Sequence, residues 1–304
     1  MSSTVHGIVA YPVTPFRPAT YEVDHQQLAV LVDRLVRDGA HAIAPLGSTG
    51  ESAYLSDSEW ADVAATSIDA TAGRVPTVVG VSALTTAATT ERARIAARLG
   101  ADMVMVLPMS YWKLAPEEVR AHIAAVGAST DLPIMVYNNP ATSGIDLSPE
   151  FLVDLVETIP NVVAIKESSG DITRMQRIAR LGGGEVPFFN GSNPLAFLAL
   201  AAGATGWCTA APALCPRHVL DLHDAVADGD LGRARALSGT LLPLLEFILA
   251  RGLPTAVKAG LAELGVDAGV PRLPLQPLDA AGTEQLRTLL SDLDITAADV
   301  PAAS

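Results

Sequence analysis

Lysine occurs at three places in the 304-residue chain, Lys113, Lys166 and Lys258, so arginine carries nearly all of the basic charge. One of them, Lys166, lies inside the apolar run VVAIKES (162–168). An ammonium in an apolar interior is costly unless it is paired or gives up its proton. A neutral amine is the nucleophile that forms an imine with a ketone, and this is the chemistry read for Lys166. The structural alternative is an ion pair with Glu167. Successive strand residues point to opposite faces, however, so Glu167 is expected to face away from Lys166. Lys113 reads as a surface-loop residue and Lys258 as part of a helix face.

Three more places could serve such an amine. Tyr137 closes the run PIMVYN (133–138), and its phenol could give and take protons beside an imine, although a strand-end tyrosine alone is more often a packed aromatic. Ser48 and Thr49 stand in GSTGE (47–51), a turn whose hydroxyls and backbone N–H groups could hold a carboxylate. A plain strand-to-helix turn, with Ser56 and Glu59 capping the next helix, would explain the same residues. Gly191, in FNGSN, permits close backbone approach to a ligand, as it would also permit a bulge.

The elements that must carry these residues alternate in type. Short apolar runs begin at GIVAYPV (7–13), AIAPLG (42–47), TVVGVS (77–82), MVMVLP (103–108), PIMVYN, VVAIKES, PFFNGS (187–192) and GWCTAAP (206–212). Each is followed by a stretch of helical period, several ending at Gly as a left-handed C-terminal residue requires. Strands apolar throughout suit a parallel sheet covered by helices. The predicted fold is α/β, a (β/α)8 TIM barrel over residues 1–225, with 226–304 a C-terminal helical extension of the same domain. In such a barrel, catalytic groups sit at the C-terminal ends of strands, which is where all four candidates fall. No GxGxxG follows the first run, which speaks against an open doubly wound sheet. The Gly182–Gly184 run precedes a strand and is read as a bottom-face turn.

Composition narrows the partners. A formal charge of −13 argues against nucleic acid or an anionic membrane. The apolar runs are too short to span a bilayer, and MSSTVHGIVAYP lacks the pattern of a secretion signal, so the protein is expected in the cytoplasm. Cys208 and Cys215 offer no disulfide framework and read as buried thiols. The six histidines show no HExxH or other ligand spacing, so a metal-dependent aldolase lacks evident ligands and no metal is expected.

Together GSTGE, YNNPATSG (137–144), IKESSGD (165–171) and NGSN (190–193) resemble the dihydrodipicolinate synthase/N-acetylneuraminate lyase family of Schiff-base (class I) aldolases. The likeness runs from Val13–Phe16 to Pro254–Gly265. The resemblance implies a lyase acting on pyruvate or another small 2-oxo acid, with Lys166 as the Schiff-base lysine and Tyr137 as the acid/base. Ser48 and Thr49 would hold the carboxylate, Thr49 also relaying protons, and Gly191 would shape the substrate end. It also implies a homotetramer without a metal or organic cofactor.

The departures bear on the substrate. Authentic dihydrodipicolinate synthases carry Ser-Arg-Thr-Gly after Tyr-Asn-x-Pro, the Arg gripping the second substrate's carboxylate, whereas Thr142 stands here and cannot make that bidentate contact. Those enzymes also receive a Tyr from a neighbouring subunit, where this chain has Ser110 with Tyr111 one residue off. The sialic acid lyase branch uses an acidic pair that Gly191–Pro194 lacks. What remains is a pocket of small hydroxyls and amides, Ser143, Ser168, Ser192 and Asn193, suited to a compact hydroxylated 2-oxo acid or cyclic imino acid. The pattern is similar to that of members that deaminate Δ1-pyrroline-4-hydroxy-2-carboxylate, and this is the expected activity. The alternatives are an aldolase for 2-keto-3-deoxy sugar acids or 4-hydroxy-2-oxo acids, and a 4-hydroxy-tetrahydrodipicolinate synthase, disfavoured by Thr142. From another class comes a barrel that binds or regulates without catalysis.

Overall fold

The computed structural model describes residues 5–299. Its strands are β1 Gly7–Ala10, β2 Ala42–Ile43, β3 Val78–Gly80, β4 Met103–Val106, β5 Ile134–Asn138, β6 Val162–Glu167, β7 Phe188–Asn190 and β8 Gly206–Thr209. They form one sheet in the order β2-β1-β8-β7-β6-β5-β4-β3. All pairings are parallel, and a parallel bridge between Ile43 and Thr77 brings the two ends together. This is the expected (β/α)8 barrel. Its strands are buried on both faces, Val9, Ile43, Val79, Val104, Val136 and Ile165 being fully covered, which is why they read as unbroken apolar runs.

Helices follow the strands, and several open on a side-chain cap. Asp24, Thr85 and Ser148 accept from backbone N–H groups of the first turn. Ser56 and Glu59 form the expected reciprocal capping pair. The strands are shorter than the apolar runs. β2 stops after two residues because Pro45 ends its ladder and Leu46 turns left-handed, with φ of 63°. The sharp turn brings the Leu46 carbonyl against Gly80, where a Cβ would lie 2.2 Å from the oxygen. The lengths of run beyond the strand ends are the loops at the top of the barrel.

Past the helix Pro216–Ala227 the chain is helical, in Leu231–Arg251, Leu253–Glu263 and Ala280–Asp292. These helices do not add to the sheet. The turn between the first two, at Leu249 and Leu253, reaches over the top of the barrel. Among the described residues, no helix is long and apolar enough to cross a membrane. Cys208 and Cys215 are both free and buried.

Candidate active site

In the parallel register of β5 and β6, Tyr137 stands beside Lys166 and Asn138 beside Glu167. Alternation along the strands then sends the first pair into the barrel and the second out toward the helices. Inside, the Lys166 Nζ lies 3.9 Å from the centre of the Tyr137 ring and 4.1 Å from that of Tyr11. Among the described residues its hydrogen-bond partner is the Met105 sulfur, at 3.9 Å. No carboxylate lies within ion-pair distance of Lys166 among the described residues, so the buried amine is held by two ring faces and no counter-charge. The Tyr137 oxygen accepts from the Asn139 side-chain amide at 2.7 Å, which leaves its own O–H free to donate elsewhere.

Outside the barrel the same two strands are locked. The Asn138 side-chain amide donates to Glu167 at 3.0 Å, and its Oδ1 accepts from the Leu147 N–H at 2.9 Å. Glu167 also accepts from the Ser169 N–H at 2.6 Å and lies 3.6 Å from the Arg174 guanidinium. Glu167 thus faces away from Lys166, as alternation required. Its network fixes the strand ends from which Lys166 and Tyr137 project.

The GSTGE loop forms the facing wall. Its turn is closed by N–H groups of Gly50 and Glu51, which donate to the carbonyls of Gly47 and Ser48. The N–H groups and hydroxyls of Ser48 and Thr49 find no acceptor among the described residues, and both residues line the cavity that contains Lys166. Thr14 anchors the loop by donating to the Gly50 carbonyl at 2.7 Å. Unpaired donors on a tight turn are what an anionic carboxylate needs.

The third wall is Gly191, Ser192 and Asn193 from the end of β7, with Ser168 from β6. A Cβ on Gly191 would sit 1.8 Å from the Ser168 Oγ and 2.7 Å from the Lys166 Cε, so any larger residue would have to displace these side chains. Ser168 Oγ and the buried Asn193 Nδ2 have no protein partner, while Asn193 Oδ1 accepts from the Trp207 indole at 3.2 Å. Ser143 is set apart. Its hydroxyl donates to backbone carbonyls of Asn139 and Ile145, and it is not one of the residues lining this cavity. The cavity measures about 200 Å³ and adjoins a more apolar one of about 220 Å³, the two sharing Ser48, Tyr137 and Thr142. Lys166 is the cation among the described lining residues of both, and Glu51, in the apolar neighbour, is the carboxylate.

Sequence reasoning missed several of these residues. Tyr11 follows β1 and was hidden because an aromatic in an apolar run reads as core. Burial, then the adjoining Cys208 thiol and Tyr137, push its phenol well above the usual tyrosine range, so it stays a donor, to Met105 at 3.1 Å. Burial likewise raises the Cys208 thiol and keeps it protonated. Leu249 and Leu253 come from the helical extension, and nothing local could have tied them to a site in the barrel. Asn139 had a signal, in its place just after Tyr137. A correction concerns Lys258, expected on a helix face. It is buried, 1% exposed, with its Nζ 2.6 Å from the Glu51 carboxylate at the end of the GSTGE loop.

Comparison with known proteins agrees with this architecture. Residues 4–293 match the model of the dihydrodipicolinate synthetase family. A 4-hydroxy-tetrahydrodipicolinate synthase of Thermomicrobium roseum is 36% identical over 96% of each chain. A crystal structure from Pseudomonas aeruginosa, provisionally called a dihydrodipicolinate synthetase, is 54% identical with a TM-score of 0.94, covering 95% of this chain and all of that one. The chloride-inhibited dihydrodipicolinate synthase of Acinetobacter baumannii, solved with pyruvate, is 29% identical with a TM-score of 0.92, over 96% of this chain and 100% of its own. With a matched length that takes in the barrel, the strand ends and the helical extension together, this chain belongs to the dihydrodipicolinate synthetase family of lyases.

Proposed function

We propose that the protein is a lyase that binds pyruvate, or a like 2-oxo or cyclic imino acid, as a Schiff base on Lys166. The observation that carries this reading is a buried amine with no carboxylate partner, facing a loop with unpaired donors across a small cavity. The pyruvate named with the Acinetobacter baumannii relative supports the ligand class.

In this scheme the substrate carboxylate docks at Ser48 and Thr49, and C2 comes to the Lys166 amine. Attack on C2 forms a carbinolamine, and loss of water gives the protonated imine. A cyclic imino acid reaches the same imine through an aminal whose ring C2–N bond opens, leaving a tethered primary amine that, after the C4 hydroxyl departs, is hydrolysed to an aldehyde with release of ammonia. The imine accepts the electron pair of a C3–H bond as the proton leaves, forming an enamine. That enamine either attacks an aldehyde or expels a C4 hydroxyl as water. Tyr137 carries these protons, held by Asn139, with Thr49 in the relay, and hydrolysis frees the product. The imine is itself the electron sink, so the scheme calls on no metal or organic cofactor.

Two finer readings share the imine and diverge once it has formed. The names of the curated relatives favour 4-hydroxy-tetrahydrodipicolinate synthase, in which the pyruvate enamine condenses with an aldehyde. One feature of the site favours deamination of Δ1-pyrroline-4-hydroxy-2-carboxylate instead. Thr142 stands where a second carboxylate would need an arginine, and the far wall offers Ser168 and Asn193, which suit a hydroxyl. Of the two, the synthase reading has the broader support.

Two parallel assays test the pair. One supplies pyruvate with the amino-aldehyde acid that completes the synthase product; the other supplies the hydroxypyrroline carboxylate and monitors ammonia and 2-oxoglutarate semialdehyde. Product in the first assay alone establishes the synthase, and ammonia in the second alone establishes the deaminase. Borohydride trapping with no adduct on Lys166 from either ligand overturns the Schiff-base reading. The proposal includes a cytoplasmic homotetramer, in which a neighbouring subunit covers Tyr111 and Trp112, 97% and 78% exposed in the single chain. Sedimentation measures the assembly.

A further inference from the structure

The second buried lysine lies outside the cavity, yet it holds part of the cavity's wall. Lys258 projects from the helix Leu253–Glu263, and its Nζ donates to Glu51 Oε1 at 2.6 Å and to the Val270 carbonyl at 3.2 Å. The other oxygen of Glu51 accepts from the Arg272 N–H at 2.7 Å. Glu51 is 1% exposed and left-handed, with φ of 55°, a conformation that side chains rarely adopt unless their surroundings impose it. It closes the turn that carries Ser48 and Thr49, by donating its N–H to the Ser48 carbonyl. Phe16 supports the pair from below, its ring 4.1 Å from the Lys258 Nζ and 4.3 Å from the Arg272 guanidinium. Arg272 is itself tied to Glu59, at 2.7 and 2.9 Å, on the helix that follows the loop.

We propose that Lys258 is a positioning residue for the carboxylate-binding loop, its ammonium holding Ser48 and Thr49 in their receptive shape through Glu51. The inference rests on the reading of that loop as the carboxylate site. Its physical logic is local. The Ser48 and Thr49 donors are useful only while unpaired, and a relaxed loop would turn them toward its own carbonyls. A left-handed non-glycine residue persists where its surroundings fix it, and at Glu51 both carboxylate oxygens are held. The barrel supplies the Thr14 anchor on Gly50, and the other anchor comes from a helix more than two hundred residues along the chain.

The test uses the double variant Lys258→Met/Glu51→Gln, which strands no buried charge, and the conservative Lys258→Arg. Borohydride trapping is run against pyruvate concentration. In the double variant the half-saturating pyruvate concentration should rise about tenfold, the scale of a lost charged hydrogen bond, with trapping at saturation within about twofold of the parent. Lys258→Arg, which keeps the cation beside Glu51, should retain most of the affinity. Amide hydrogen exchange on the ligand-free protein gives a readout independent of pyruvate. Residues 46–56 should exchange at least about tenfold faster in the double variant, with the β5 and β6 segments unchanged. Unchanged exchange in the loop, or faster exchange throughout the chain, overturns the positioning role. Failure of the parent protein to trap either pyruvate or the hydroxypyrroline carboxylate overturns the Schiff-base reading instead, and the exchange result then decides this inference alone.

Discussion

Two lysines are buried in this barrel, and the contrast between them separates chemistry from architecture. Lys166 is 5% exposed and Lys258 1%, and each Nζ lies about 4 Å from an aromatic ring centre. Burial and ring contacts are therefore alike. The difference is a counter-charge. Lys258 has the Glu51 carboxylate at 2.6 Å and the Val270 carbonyl at 3.2 Å, whereas Lys166 has two tyrosine faces and a thioether. The first arrangement consumes the amine as a structural cation. The second leaves its reactivity open to a small cavity. A buried lysine is thus no sign of catalysis by itself; an unpaired one beside a cavity is.

The widest separation between the two comes from Lys166→Met. It should remove imine trapping and lower turnover by about 10⁴-fold or more, as for a lost covalent nucleophile. Because no carboxylate is left stranded, its melting temperature should stay within about 3 °C of the parent. Retained turnover would end the distinction between the two lysines.

Tyr137→Phe tests the same side of the contrast less severely. Turnover should fall about 10²-fold for a lost acid/base, while the adduct on Lys166 still forms, as intact mass after reduction would reveal. Equal turnover in this variant would make Tyr137 a packing residue, like its ring face toward the amine.

On the other side, Lys258→Met should act on stability first. Removing one partner of a buried pair costs about 3–5 kcal/mol, lowering the melting temperature by about 6–15 °C for a chain of this size. Adding Glu51→Gln should recover most of that loss, a pairing with no counterpart at Lys166. Thermal melts of the single and double variants decide it.

The smallest effect is one of pH. Burial lowers the Lys258 amine to about 8, against the opposing pull of Glu51, with Arg272 adding to the decrease. Glu51 and Arg272 are the charged groups that face it, Arg272 being itself paired with Glu59. Lys258 is cationic below that value and neutral above it, so the ionic hold on Glu51 weakens as pH rises. Pyruvate affinity should fall several-fold between about pH 7.5 and 9. In Lys258→Arg, whose guanidinium stays charged, the fall should move to higher pH. A pH dependence identical in the two proteins would detach the loop from Lys258.

The contrast also explains which parts of the molecule could be read from sequence. Lys166 was legible because it interrupts an apolar strand run, and Tyr137 because it ends the preceding one. The period of two in a strand put Glu167 on the face opposite Lys166, while Tyr137's place beside Lys166 came from the register of the two strands. Lys258 was misread because a helix has a polar face by default, and PTAVKAGLAELG gives no hint that another element covers that face. Ser143 was chosen for its residue type, and its hydroxyl is engaged by the backbone of its own turn.

By itself the sequence determined the barrel, its strand and helix alternation, and the strand ends from which the candidate side chains project. Those properties follow from apolar periodicity and local backbone preference, which act over a few residues and are written there. The tertiary structure decided what lies opposite each buried lysine, Glu51 against Lys258 and rings against Lys166, and set the helical extension's Leu249 and Leu253 over the barrel mouth. Such pairings join residues up to 207 positions apart. They depend on closure of the sheet and on the packing of helices over it, which no local pattern encodes.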